Sequence, residues 1–347
     1  MYFYQMTKKI ELLSIFSFVF FFGIFQMFSQ NELNKSSKTK HETLIQPPYL
    51  KTGDTVMIVA PSGVLKNRNR EVNQAKRLLK RWGLNVIVGK HVFSKDNHFA
   101  GTDAQRCEDF QKALDDPKVK AIWSARGGYG TVRILDKLDY TKFMKNPKWL
   151  IGYSDITALH NQFHVNGIES IHGLMCMSLT EDEAEVETAI NSFKKAIFGT
   201  PINYTIEGSN YNRTGDTSGQ LVGGNLTILH TMLGSKESID TAGKILFFEE
   251  IGEYAYHIDR MLQSLKRAGY FNRCKGVMVG SITKVRKNTT PWGKPVEQLI
   301  LDALAEYDFP IVFNVPAGHE KDNRALIMGR EVTLKVTKEK STIKFKE

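Results

Sequence analysis

Short apolar runs alternate with stretches of helical periodicity through the first half of the chain, and this alternation limits the fold more than any other feature. Residues 55–60 (TVMIVA) form a β-branched run closed by Pro61-Ser62-Gly63. Residues 71–82 place Ala75, Leu78 and Leu79 at helical spacing and stop at Gly83. Strands are expected at 85–88 and 121–125, with a helix between them over 103–114. The glycine loop Gly127-Gly128-Tyr129-Gly130 comes next, followed by an expected helix running through Leu138. A fourth strand is expected over 149–153 and a helix over 155–164. Strands separated by helices pair in parallel, because the chain must cross back over the sheet between them. The predicted fold class is α/β, with a doubly wound parallel sheet over 49–200.

The second half is punctuated differently. Gly199-Thr200-Pro201 and the polar stretch 208–218 make 201–217 read as a linker. Beyond it, 244–250 (KILFFEE), 276–282, 312–315, 331–336 and 342–345 read as strands, and 256–268 and 296–306 as helices. A smaller, mixed α/β domain over 218–347 follows from that order.

The first thirty residues do not belong to either domain. Lys8 and Lys9 precede the apolar stretch 12–28, which is the order of a secretory signal. Met27-Phe28-Ser29-Gln30 lacks a small-x-small cleavage pattern, so an uncleaved N-terminal membrane anchor is the other reading. Both place the protein outside the inner membrane, in an exported, periplasmic position. Residues 31–48 are polar and read as a linker, with the fold starting near Tyr49. The 347 residues include 47 basic and 37 acidic ones, a formal net charge of +10. The basic residues are scattered, with no nucleic-acid-binding motif among them, so no nucleic-acid partner is expected; an anionic polymer such as a cell wall suits the charge. Cys107, Cys176 and Cys274 are too few and too far apart for a disulfide scaffold, and none forms a C-x-x-C pair.

Four motifs can carry chemistry. In Gly152-Tyr153-Ser154-Asp155-Ile156-Thr157 an apolar strand runs into a serine and a helix starts at once. Such a turn exposes the hydroxyl and frees the next backbone N–H for an oxyanion. A serine that merely caps the helix is the plain alternative, and Ile156 stands where the usual hydrolase elbow has its second glycine. Arg126-Gly127-Gly128-Tyr129-Gly130 offers close backbone approach and free N–H groups, or simply a tight turn. Glu249-Glu250 end an apolar strand, and His319 follows another. Each alone is as easily strand-end solvation or a loop histidine. His160 and His164 have metal-ligand spacing on one helix but no third ligand, and read as helix surface or core. Together, Ser154, Glu249 and His319 follow the chain order of a serine hydrolase triad, with the acid orienting and polarising the histidine.

The sequence resembles the LD-carboxypeptidases from about Tyr49 to the C-terminus. This serine peptidase family includes muramoyltetrapeptide carboxypeptidase and the microcin-C immunity peptidases. The resemblance rests on IVAPSG (58–63), FAGTDAQR (99–106), ARGGYG (125–130), GYSDITALH (152–160), LVGGNL (221–226), FEEIGEYAYHIDRML (248–262) and GHEKDN (318–323), in that order and spacing. The family often has Glu-Asp where Glu249-Glu250 stand, and His-Gly-Pro where His172-Gly173-Leu174 stand. The resemblance implies a Rossmann-like N-terminal domain and a smaller C-terminal domain, with the site between them, often in a homodimer. It implies Ser154 as nucleophile, Glu249 as orienting acid and His319 as general base, with backbone N–H groups of Gly128 and Asp155 forming the oxyanion hole. Arg126 and Tyr129 are substrate-binding candidates by position alone. The implied reaction removes a C-terminal D-amino acid from a peptide, for murein the terminal D-Ala after L-Lys or meso-diaminopimelate. It needs no metal and no cofactor. The alternatives are a microcin-immunity-type peptidase cutting a toxic peptidyl-nucleotide and a cell-wall-fragment binding protein without catalysis.

Overall fold

The computed structural model describes residues 44–179 and 182–347. The expected signal or anchor over 1–30, and 31–43 of the expected linker, lie outside the described residues. In chain order the elements are β1 (Thr55–Val59), α1 (Asn69–Arg81), β2 (Asn85–Val88), α2 (Asp103–Asp115), β3 (Val119–Ser124), β4 (Trp149–Gly152), α3 (Thr157–Val165), β5 (Ser170–His172) and α4 (Glu187–Phe198). They continue as β6 (Asn203–Glu207), β7 (Gly215–Asn225), α5 (Leu226–Thr231), β8 (Ile245–Ile251), α6 (Ala255–Arg267), β9 (Gly276–Thr283), α7 (Val296–Ala303), β10 (Ile311–Val312), β11 (Leu326–Met328), β12 (Glu331–Val336) and β13 (Lys340–Phe345).

Two sheets result. The first runs β11-β5-β4-β3-β1-β2, with β1 to β5 parallel and β11 antiparallel on its edge. The order 2-1-3-4-5 is one of the two common doubly wound arrangements, which place ligands outside the C-terminal strand ends at the switch between β1 and β3. The second sheet runs β10-β9-β8-β7-β12-β13-β6. Its β7 to β10 are parallel, and β12, β13 and β6 add antiparallel strands. One buried cluster takes Trp123, Ile151 and Ile171 from the first sheet and Leu221, Phe247 and Met278 from the second, so the sheets share a core.

Three expectations need correction. The expected linker over 201–217 holds β6 and the start of β7, because residues 203–207 pair with β13. The fold begins before Tyr49: Ile45 N–H donates to Gly167 O at 2.7 Å and Ile45 O accepts from Glu169 N–H at 3.0 Å, so backbone pairing orders the last linker residues. The expected helix through Leu138 is two 3-10 turns, Thr131–Arg133 and Leu135–Lys137. Gly130, at φ +137°, starts the first turn, and the Thr131 side chain is committed elsewhere.

Arg330, between β11 and β12, ties the chain ends of the fold together. Its guanidinium pairs with the buried Glu169 carboxylate and donates to Tyr49 Oη at 2.8 Å and Gln46 Oε1 at 2.6 Å. Burial pushes the Glu169 carboxyl up, against the opposing pull of Arg330. Removing one partner of such a pair leaves a buried charge uncompensated. Arg330→Ala is expected to cost about 3–5 kcal/mol in urea unfolding, while Arg330→Met combined with Glu169→Leu recovers most of it. Equal loss in the single and double variants would show that the ion pair is not what Arg330 contributes.

Candidate active site

The site lies where the C-terminal ends of the strands of both sheets meet. From the first sheet comes the turn after β4. Tyr153 is extended, and Ser154 takes φ +62°, a left-handed conformation that a residue with a side chain adopts only at a cost. A 3-10 turn, Ser154–Ile156, then leads into α3. A Cβ on Gly152 would sit 2.9 Å from Ile156 Cγ1. Glycine two residues before the serine thus makes room for the isoleucine that replaces the second glycine of a hydrolase elbow. His160 buttresses the strand end: Nε2–H donates to Gly152 O at 2.9 Å, and Nδ1 accepts from Ser170 Oγ at 2.8 Å.

The glycine loop after β3 closes over the serine. A Cβ on Gly127 would lie 3.2 Å from Ser154 Oγ. Gly127 O accepts from Gly63 N–H at 3.1 Å, which joins this loop to the one after β1. Asp155, 1% exposed, accepts at Oδ2 from Thr131 N–H at 2.9 Å and from Thr131 Oγ1 at 2.6 Å. Thr131 Oγ1 spends its proton on Asp155, so its 2.7 Å contact with Ser62 Oγ is one in which Ser62 donates. Burial pushes the Asp155 carboxyl up. Arg106 is fully buried, donates to the carbonyls of Pro61 and Gly130, and pairs with Asp103.

The second sheet supplies the other half. Glu249, 0% exposed near the end of β8, accepts at Oε2 from His319 Nδ1–H at 2.6 Å. His319 Nε2 is therefore the nitrogen left to work. Glycines make this contact sterically feasible: a Cβ on Gly318 would lie 2.9 Å from Glu249 Oε2, and one on Gly280 3.0 Å from Glu249 Cβ. Asn225 Nδ2 donates to Glu249 Oε1 at 3.2 Å and to Glu250 Oε1 at 3.3 Å. Glu250 Oε2 accepts from Thr227 N–H and Oγ1, and burial pushes its carboxyl up. Glu250 is thus a structural partner at the start of α5, while Glu249 faces the histidine.

Beside the shared core, two contacts join the halves next to the triad residues. Asn225 N–H donates to Thr157 Oγ1 at 2.9 Å, three residues beyond Ser154. The Tyr153 ring packs edge-on against the His319 ring at 5.0 Å between centroids. Behind Tyr153 lies His172, fully buried, with neither ring nitrogen partnered among the described residues. Burial holds its imidazole well below the usual range and therefore neutral.

Ser154, Glu249, His319, Gly128 and Asp155 thus all belong to one region. Arg126 donates to the Val64 carbonyl and borders Gly63, so part of its guanidinium is committed to loop structure. Tyr129 is 46% exposed on the loop tip, near His98 and Phe99. His160 is a core histidine on α3, and His164, in the last turn of that helix, is half-buried. Among the described residues, no group of three His, Cys, Asp or Glu is placed to hold a metal ion. The three cysteines are free, two of them buried. Sequence reading missed Thr131, Arg106, Asn225 and Thr157. The only local signal was their presence inside or beside the quoted motifs, since their partners lie far along the chain.

Comparison with known proteins gives the family of the chain. The chain fits the family models for the LD-carboxypeptidase N-terminal domain over 56–173 and the LD-carboxypeptidase C-terminal domain over 218–334. It is 33% identical to the "Probable murein peptide carboxypeptidase" of Bacillus subtilis (strain 168), covering 86% of this chain and 93% of that one. It is 30% identical to the murein tetrapeptide carboxypeptidase of Pseudomonas aeruginosa, covering 80% and 92%. The crystal structure of muramoyltetrapeptide carboxypeptidase from Oxalobacter formigenes superposes with a TM-score of 0.75 at 27% identity, covering 84% of this chain and 99% of that one.

The histidines of α3 make the fold acid-labile. Burial lowers the His160 pKa from 6.5 to about 4, and that of His164 to about 4 as well. Between these values the unfolded chain binds protons that the folded protein refuses, so stability is complete above 6.5 and drains away as pH falls toward 4. For His160 alone the full loss is about 3 kcal/mol. Urea unfolding is expected to show a lower midpoint at about pH 4.5 than at about pH 7.5, and His160→Gln a shallower dependence between them. An unchanged slope in His160→Gln would show that this imidazole does not stay neutral.

Proposed function

The chain belongs to the LD-carboxypeptidase family of serine peptidases, and from that premise we propose that it removes the terminal D-Ala of murein tetrapeptides, cutting after L-Lys or meso-diaminopimelate. The observation that carries the reading is the 2.6 Å contact of Glu249 with His319 Nδ1, set opposite a serine held at a left-handed strand-to-helix turn.

In this mechanism His319 Nε2 takes the proton of Ser154 as Oγ attacks the scissile carbonyl. Glu249 holds the imidazole in the required tautomer and stabilises the imidazolium. Backbone N–H groups of Gly128 and Asp155 receive the oxyanion, each worth about a hundredfold or more in rate. The imidazolium then protonates the leaving amine of D-Ala, and water, activated by the same histidine, releases the acyl group from Ser154. Arg126 is proposed to offer its uncommitted N–H groups to the substrate's terminal carboxylate, with Tyr129 forming the wall beside it. The homodimer implied by the resemblance belongs to the proposal as well.

The test is incubation with purified tetrapeptide muropeptides and mass spectrometry for loss of one alanine. Ser154→Ala and His319→Ala are each expected to lower kcat by about four to six orders of magnitude with the fold intact, and the double variant to be little worse. Glu249→Gln is expected to be severe but milder, because a neutral amide cannot stabilise the imidazolium. Activity is expected to persist in EDTA. Near-normal turnover in Ser154→Ala would overturn the mechanism.

We propose further that the catalytic part works outside the inner membrane, supported by Lys8 and Lys9 ahead of the apolar stretch 12–28. An alkaline-phosphatase fusion after Gln30 is expected to be active; an inactive fusion would count against export.

A further inference from the structure

We propose that the side chain of Asp155 is the positioning group of the oxyanion hole, setting the glycine loop over Ser154 through Thr131. The inference rests on the reading of Ser154 as nucleophile and goes beyond it.

The loop over the serine is pinned at three places. Gly127 O is held by Gly63 N–H, Gly130 O by the buried Arg106, and Thr131 by the Asp155 carboxylate. Between those points only Gly128 and Tyr129 are exposed, and Gly128 sits at φ +108°. The donor assigned to the oxyanion therefore lies on a two-residue tip whose height above Ser154 depends on its anchors. Gly127 leaves no slack, since a Cβ there would already be 3.1 Å from Ser154 Cβ.

Of the three anchors, only Asp155 belongs to the elbow itself. Its N–H is the second oxyanion donor, and its Oδ2 takes both donors of Thr131. One residue thus fixes one donor by its own backbone and the other by its side chain, so the spacing between them is set over a single amino acid. The Ser62 hydroxyl donates into Thr131 Oγ1 and so fixes the direction of the hydroxyl that points at Asp155. The other carboxylate oxygen, Oδ1, is buried without a partner among the described residues. Holding the loop from the elbow needs one acceptor oxygen, and a carboxylate oxygen makes those hydrogen bonds the stronger, charge-assisted kind.

A fluorophosphonate probe tests this without reliance on the natural peptide. Ser154 Oγ forms a P–O bond as the P–F bond breaks; the serine proton passes to His319 and fluoride leaves. The phosphoryl oxygen occupies the oxyanion hole during the step, so labelling rate reports its geometry. Thr131→Val, which removes the hydroxyl donor and keeps the side chain's shape, is expected to slow labelling about 10–100-fold and to lower kcat by a similar factor. KM is expected to stay within about twofold, and Thr131→Ser to restore the rate to within about threefold of the parent. Asp155→Asn is expected to be at least as slow as Thr131→Val; if it does not fold, Thr131→Val carries the test. Labelling at the parent rate in folded Thr131→Val would overturn the proposal, as would a loss that merely tracks the folded fraction. A parent protein that labels at Ser154 but leaves the tetrapeptide uncut would overturn the substrate reading and not this one. A parent that does not label would overturn both.

Discussion

The nucleophile and its base come from different sheets, so everything at the site depends on the joint at Asn225. Its backbone N–H bonds Thr157 on the helix that follows the nucleophile, and its side chain bonds Glu249. The same side chain caps α5 through Ile228 N–H. A Cβ on the preceding Gly224 would lie 2.4 Å from Thr157 Oγ1, so only glycine admits the approach. One turn of chain therefore fixes the distance between the two halves of the triad, and the Tyr153–His319 ring contact closes the remaining freedom.

The elements with a clear period could be read from sequence, because β-branched runs and helical spacing report burial directly. β1, α1, β2, α2 and β12 fall within a few residues of their expected places. β7 could not be read: GDTSGQLVGGN has the residues of a loop. Its glycines are there for space, since a Cβ on Gly223 would lie 1.8 Å from Phe247 O and one on Gly219 2.8 Å from Gly243 O. What passes for punctuation in the sequence is close backbone packing in the fold. β11 and β5 are three residues each, too short for any period.

The triad residues could be picked out because each sits at the end of an apolar run, but their supports could not. Thr131, Arg106 and Asn225 act through partners 24 to 69 residues away in sequence. Nothing local distinguishes a threonine that clamps a loop from one that faces water. The site also concentrates groups that burial disfavours: Asp155 and Glu250 with raised carboxyl pKa values, and His172 with no partner among the described residues. Sites of this kind draw on stability earned elsewhere in the core.

The strand β11 has a consequence for how the molecule comes into being. It pairs antiparallel with β5, joining Leu326 to His172 and Met328 to Ser170 across more than 150 residues of chain. The first sheet is therefore not complete until residues 326–328 have left the ribosome. A nascent chain halted before residue 326 carries the nucleophile turn beside an open β5 edge, the kind of edge that invites pairing with other chains. Protection of that edge thus waits for β11, which follows the whole parallel part of the second sheet, rather than arriving domain by domain.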